Sequence, residues 1–227
     1  MSASSVLFVH GSFFSGWTWL PVIERLAMRN VESVTIELPF TSLDDDVHAL
    51  RTRISELRAR GTVTVVCHSY TGITASMAAH DANHLVFVAA RMPAVGESQT
   101  ALNADWGYPS FRSCLRVDND GVMSLADEAT DYLFNRTPPS LARLAMTYRR
   151  TMRSAIPVEP IDNPAWRSLP SSYVVCADDW AVNVDQQRLR ASWATHRVEL
   201  DCDHSPFMSA PTELAAFIAE THAMEAQ

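Results

Sequence analysis

The stretch Val63-Thr64-Val65-Val66-Cys67-His68-Ser69-Tyr70-Thr71-Gly72 runs from a short apolar, β-branched segment straight into a polar turn and then a helix-like segment. An unbroken apolar run of this length reads as a strand buried on both faces. A serine at a sharp strand-to-helix turn holds its hydroxyl at the carboxyl edge of a sheet, beside the free N–H groups of the helix that follows. Ser69 is therefore a candidate nucleophile. The usual pattern at such a turn is G-x-S-x-G, and here Cys67 and Thr71 stand where the two glycines would be. The turn alone is a weak signal and needs partners elsewhere in the chain.

Outward from this turn, similar apolar runs recur at residues 6–9, 34–38, 85–88 and 173–176, several of them separated by segments with helical periodicity. Between the second and third runs Val47, Leu50, Ile54 and Leu57 share one helical face, and Gly61 reads as the stop of that helix. Near the carboxyl end Pro211 can open a helix carrying Leu214, Phe217 and Ile218 on one side. The alternation predicts one α/β domain over residues 1–227, a mostly parallel central sheet flanked by helices. Regularity breaks between about 91 and 170, a stretch too long for a simple connection. Its Trp106, Tyr108, Phe111, Met123, Leu133 and Met152, with Pro138 and Pro139 splitting two helical segments, predict an inserted cap built mostly of helices over the serine.

Two further runs end in the residues a serine needs. Tyr173 to Cys176 leads into Asp178 and Asp179, and a run through Val198 and Leu200 leads into Asp203 and His204. A serine hydroxyl is a poor nucleophile at neutral pH and needs a base such as imidazole, whose cationic form a buried carboxylate then stabilises. The order Ser69, Asp179, His204 is the Ser, acid, His order of one such architecture, with Asp179 preferred over Asp178 as the acid. The loop after the first strand, His10-Gly11-Ser12-Phe13-Phe14, makes the backbone N–H groups of Ser12 and Tyr70 candidate oxyanion donors. Gly11, Phe13, Trp106 and Trp180 fall where they could line a substrate pocket. His10 and His68 read as groups that order their loops.

Composition bounds the partners. The 227 residues carry a net charge of −8 without any long Lys/Arg block, which argues against nucleic acid. Arg149, Arg150 and Arg153 form the one basic cluster, read first as a solvated helix face, with an anionic group of the substrate as the alternative. No run approaches the roughly 18 apolar residues of a membrane span, and no secretory signal is visible. Cys67, Cys114, Cys176 and Cys202 lack paired spacing and read as reduced thiols of a cytoplasmic protein. Neither metal-binding nor nucleotide-binding motifs occur, so no cofactor and no metal is implied. The expected partner is a small-molecule substrate, bound by a monomer or homodimer.

Taken together, His10-Gly11-Ser12 with Trp17 and Trp19, His68-Ser69-Tyr70, Phe87 to Pro93, Cys176 to Val182 and Asp203 to Phe207 resemble the small α/β-hydrolase fold esterases related to plant methylesterases and hydroxynitrile lyases, with their bacterial relatives. The resemblance spans nearly the whole chain except the cap. It implies Ser69 as nucleophile, Asp179 as acid and His204 as base. The hydroxynitrile lyases of that group carry a lysine after the histidine and a threonine after the first loop histidine. Ser205 and Gly11 stand there instead, which argues against cyanohydrin cleavage. The expected activity is serine hydrolysis of a small, largely apolar carboxylic ester or lactone through an acyl-enzyme. Cys67 and Thr71 keep two alternatives open: lyase or cyclase chemistry in the same site, and ligand binding with little turnover.

Overall fold

The computed structural model describes residues 3–98, 105–153 and 159–224. Six strands form one sheet: β1 (Ala3–Val9), β2 (Glu32–Ile36), β3 (Gly61–His68), β4 (His84–Val88), β5 (Ser171–Cys176) and β6 (His196–Leu200). Their order across the sheet is β6-β5-β4-β3-β1-β2, with every pairing parallel. The inner strands are apolar without alternation because both faces are covered; Val6 to Val9 and Leu85 to Val88 are all fully buried. At the edges β2 and β6 keep partial exposure. The second run accordingly pairs over Glu32–Ile36 instead of the expected 34–38.

Helices α1 (Leu20–Ala27), α2 (Leu43–Arg58), α3 (Thr71–Ala78), α4 (Pro139–Thr147), α5 (Val184–Ala191) and α6 (Pro211–Met224) complete the frame. Helix α2 starts where Ser42 accepts a hydrogen bond from the Asp45 amide (3.1 Å), with Asp44, Asp45 and Asp46 in its first turn. It buries Leu43, Val47, Leu50, Ile54 and Leu57 and packs against α3. Gly61 does not end this helix. The helix closes at Arg58, and Gly61 opens β3. Helix α6 begins at Pro211, buries Leu214 and Ile218, and packs against α1.

The insertion between β4 and β5 is mixed where the sequence predicted mostly helices. Besides α4 and shorter helical turns, it holds an antiparallel ribbon of Leu115–Val117, Val122–Leu125 and Met152–Arg153. A second pairing joins Glu97–Ser98 to Pro160–Ile161. Strands this short carry too few residues to show a period in the sequence. The basic cluster also differs from the expected solvated helix face, since it follows α4 and fastens the insertion to its surroundings. Arg149 pairs with Asp127 (2.7 Å), Arg150 with Glu37 (3.3 Å) and over the Phe40 ring, and Arg153 donates to the Asp120 carbonyl (2.9 Å). All four cysteines are free and buried. Among the described residues no helix is long and apolar enough to cross a membrane.

Candidate active site

Ser69 sits between the end of β3 and the start of α3 with φ +57°, in the left-handed region that costs a non-glycine residue on the order of 1–3 kcal/mol. Its position is over-determined by its neighbours. The Ser69 N–H donates to the Val88 carbonyl (3.2 Å), and the Ser69 carbonyl accepts from the Arg91 N–H (2.9 Å), so β4 and the residues after it clamp the turn. Thr71 does not crowd it. The threonine is fully buried, and its hydroxyl donates to the His68 carbonyl (2.9 Å) and lies 3.2 Å from the His68 amide, stitching the strand end to the helix. The glycine requirement falls one position later. A Cβ on Gly72 would lie 2.2 Å from the Arg91 carbonyl oxygen, a backbone atom with nowhere to go. Cys67 is fully buried at the end of β3, where burial pushes its thiol pKa up and leaves it a protonated, inert filler.

Three distant segments converge on the Ser69 hydroxyl. His204, in the loop after β6, brings Nε2 to 3.1 Å from Ser69 Oγ and Nδ1 to 2.6 Å from Asp179 Oδ2. Asp179, in the loop after β5, is 2% exposed. Its Oδ1 accepts from the amides of Ala181 (2.9 Å) and Val182 (2.8 Å), and its Oδ2 also accepts from Gln187 Nε2 (2.8 Å). Gln187 is itself fixed, because its Oε1 accepts from the Cys176 amide (2.9 Å). The carboxylate is thus held by four donors, and a donated Nδ1–H leaves His204 Nε2 as an acceptor facing the serine. Asp178 points elsewhere, to Arg136 (3.2 Å) and the Trp180 indole N–H (2.8 Å).

The loop bearing His204 is ordered from below. Asp203 is fully buried and accepts from Ser205 N, Ser209 Oγ, Arg136 N and Thr137 Oγ1 at 2.7–2.9 Å, which ties the insertion to this loop. His68 Nε2 lies 2.7 Å from the His204 carbonyl oxygen, to which it donates. Burial holds the His68 pKa well below the ordinary value, as does the nearby His204. His10 is fully buried, donates from Nδ1 to the Gly11 carbonyl (3.1 Å) and accepts at Nε2 from the Leu38 amide (3.1 Å). Burial lowers it to about 4.

Ser69, His204, Ser12, Phe13 and Tyr70 open into a cavity of about 240 Å³. Its far wall comes from the insertion, through Trp106, Phe111, Leu133 and Met152 among others. Among the described residues neither the Ser12 nor the Tyr70 amide N–H meets a protein acceptor. The Tyr70 hydroxyl donates to buried Asp46 (3.3 Å), and burial raises the pKa of that carboxyl. Two expected pocket residues lie outside. Gly11 packs where a Cβ would meet the His68 ring at 2.4 Å, and Trp180 is half exposed and does not line this cavity. Arg91 and Gln187 are the residues the sequence reading missed. Arg91 lies three residues past the end of β4, at the strand end where sheets of this kind gather their functional groups, and that placement was the available signal. Among the described residues no group of His, Cys, Asp or Glu could hold a metal ion.

A model of the alpha/beta hydrolase family matches residues 6–217. The chain belongs to that family. Alpha/beta hydrolase nvfD of Aspergillus novofumigatus is 26% identical, with 93% of each chain covered. Methylesterase 7 of Arabidopsis thaliana is also 26% identical, covering 93% of this chain and 94% of its own. Among solved structures, the methylesterase MES16 from Arabidopsis superposes with a TM-score of 0.79 at 21% identity, covering 98% and 99% of the two chains. At that identity the likeness is one of fold. It places this alpha/beta hydrolase among proteins built on the same sheet.

Proposed function

We propose that this chain is a serine hydrolase that cleaves a small, largely apolar carboxylic ester or lactone. The observation that carries the reading is the unbroken line from Asp179 Oδ2 through His204 to Ser69 Oγ, 2.6 and 3.1 Å, opening into the apolar-walled cavity. His204 Nε2 takes the hydroxyl proton as Ser69 Oγ attacks the carbonyl carbon. The oxyanion of the tetrahedral intermediate is received by the N–H groups of Ser12 and Tyr70, and a donor pair of this kind is worth about 10²- to 10³-fold per member. The C–O bond to the leaving alcohol breaks as His204 returns the proton to it, leaving an acyl group on Ser69. Water, deprotonated by the same imidazole, then releases the acid. The insertion acts as a cap that shapes the acyl pocket and keeps bulk water out. The name of the Arabidopsis relative, a methylesterase, adds support for a small alcohol portion.

Cys67 and Thr71 motivated the non-hydrolytic alternatives. Both are explained by packing, the first as a buried filler and the second as a stitch across the turn, so neither favours lyase or cyclase chemistry. A fluorophosphonate probe should label the wild-type protein and leave Ser69→Ala unlabelled. Equal labelling of the two would refute the assignment.

A further inference from the structure

Arg91 is a cation without a counter-ion. Its Nε is cut off from solvent and has no hydrogen-bond partner, and no carboxylate pairs with its guanidinium among the described residues. The nearest acid along the chain, Glu97, is already bound at both oxygens by Arg190 (2.8 and 2.9 Å). Burial lowers Arg91 to about 10, which leaves it charged at neutral pH. A desolvated charge with no partner is costly, and such a charge is normally paired or placed for a ligand. Arg91 has such a place, because it lines the cavity that holds Ser69 and His204. No Asp or Glu lines that cavity, whereas Arg112 and Arg153 stand on its wall with Arg91. The chain as a whole carries a net charge of −8, so the cationic lining runs against the composition.

We propose, building on the hydrolase reading above, that the substrate is a half-ester: a small molecule with a free carboxylate besides the scissile ester, and that Arg91 binds this carboxylate. The planar guanidinium fork matches a carboxylate at two points, and a partly desolvated site strengthens the pair. The reach is short. The backbone N–H of Arg91 is bonded to the Ser69 carbonyl, so the carboxylate lies within one arginine side chain of the nucleophile, as in the monoester of a short dicarboxylic acid. The apolar part of the wall, Phe13, Phe111, Leu133 and Met152 among others, takes the intervening methylene chain within the cavity of about 240 Å³. Arg91 is thus a specificity-determining residue.

The test uses Ser69→Ala, which cannot turn substrate over, and calorimetric titration with monomethyl glutarate and with dimethyl glutarate at neutral pH. The half-ester should bind at least about 30-fold tighter than the diester, and Arg91→Met in that background should remove the preference, the size expected when one partner of a desolvated charge pair is truncated. Arg91→Lys should keep part of it. Because the methionine removes an unpaired, partly buried charge, Arg91→Met should melt at or above the wild-type temperature. Equal binding of the two esters, no detectable binding of the half-ester, or a preference that survives Arg91→Met would each overturn the proposal. Hydrolysis is read separately on the wild-type protein. Arg91-dependent binding without fluorophosphonate labelling or turnover would retain the carboxylate site and reject the hydrolase reading, whereas labelling without the preference would do the reverse.

Discussion

Asp179→Asn isolates the electrostatic logic of the site, and the structure dictates which way the new amide must point. Oδ1 of Asp179 faces two backbone N–H groups, those of Ala181 and Val182, at 2.9 and 2.8 Å. An asparagine there has to keep its oxygen toward them, which turns its NH2 toward His204 Nδ1 and Gln187 Nε2. Gln187 cannot flip to accommodate it, because its Oε1 already accepts from the Cys176 amide. His204 Nδ1 must therefore become an acceptor, its proton moves to Nε2, and the nitrogen facing Ser69 loses the lone pair that takes the hydroxyl proton. A wrong tautomer of this kind costs about 10⁴-fold in kcat, or roughly 5 kcal/mol of barrier. The assay is steady-state hydrolysis of 4-nitrophenyl acetate, with the thermal melt as a control for folding. Asp178→Asn, at a partly exposed carboxylate engaged with Arg136 and Trp180, should change kcat by less than about twofold. A folded Asp179→Asn protein within tenfold of wild type, or an equal loss in Asp178→Asn, would refute the reasoning.

Thr71→Gly restores the glycine common at this turn, yet removes the hydroxyl bond to the His68 carbonyl and adds backbone freedom at the first residue of α3; it should lower stability by about 1–2 kcal/mol in denaturant unfolding and bring no gain in ester turnover. Stability should also fall on acidification. His10 has a folded-state pKa of about 4, against 6.5 unfolded, so above pH 6.5 both states leave it neutral, and between pH 6.5 and 4 the unfolded chain takes up the proton preferentially. The His10 share of the loss, up to about 3 kcal/mol, should appear in urea titrations across that window, while His68, which burial also holds well below its ordinary value, extends the fall to lower pH. The fall should shrink in His10→Gln, and an unchanged slope in that variant would assign the effect elsewhere.

What the sequence determined by itself was whatever is local or strictly periodic. The continuous apolar runs marked the inner strands, because a strand covered on both faces has no polar positions to interrupt it, as Val6 to Val9 and Leu85 to Val88 illustrate. The strand-to-turn transitions also pointed to Ser69, Asp179 and His204, each within a few residues of a recognisable strand end, and the fold brings their side chains to within hydrogen-bond distance. Folding decided the rest. Which of two adjacent aspartates meets the imidazole depends on the turn of a loop stapled by Ala181, Val182 and Gln187. Gly72 is required instead of a glycine at 71 only because the backbone of Arg91, distant in the chain, passes 2.2 Å from where its Cβ would be. Trp180 is turned to solvent while Trp106, from the insertion, closes the cavity. Arg91 itself is an ordinary basic residue in one dimension. Its position after β4 marks the strand end, but that it lacks a counter-ion is decided by the fold, which sets it beside the serine with its Nε cut off from solvent and gives Glu97 to Arg190, because whether a charge is paired is a property of three-dimensional neighbours.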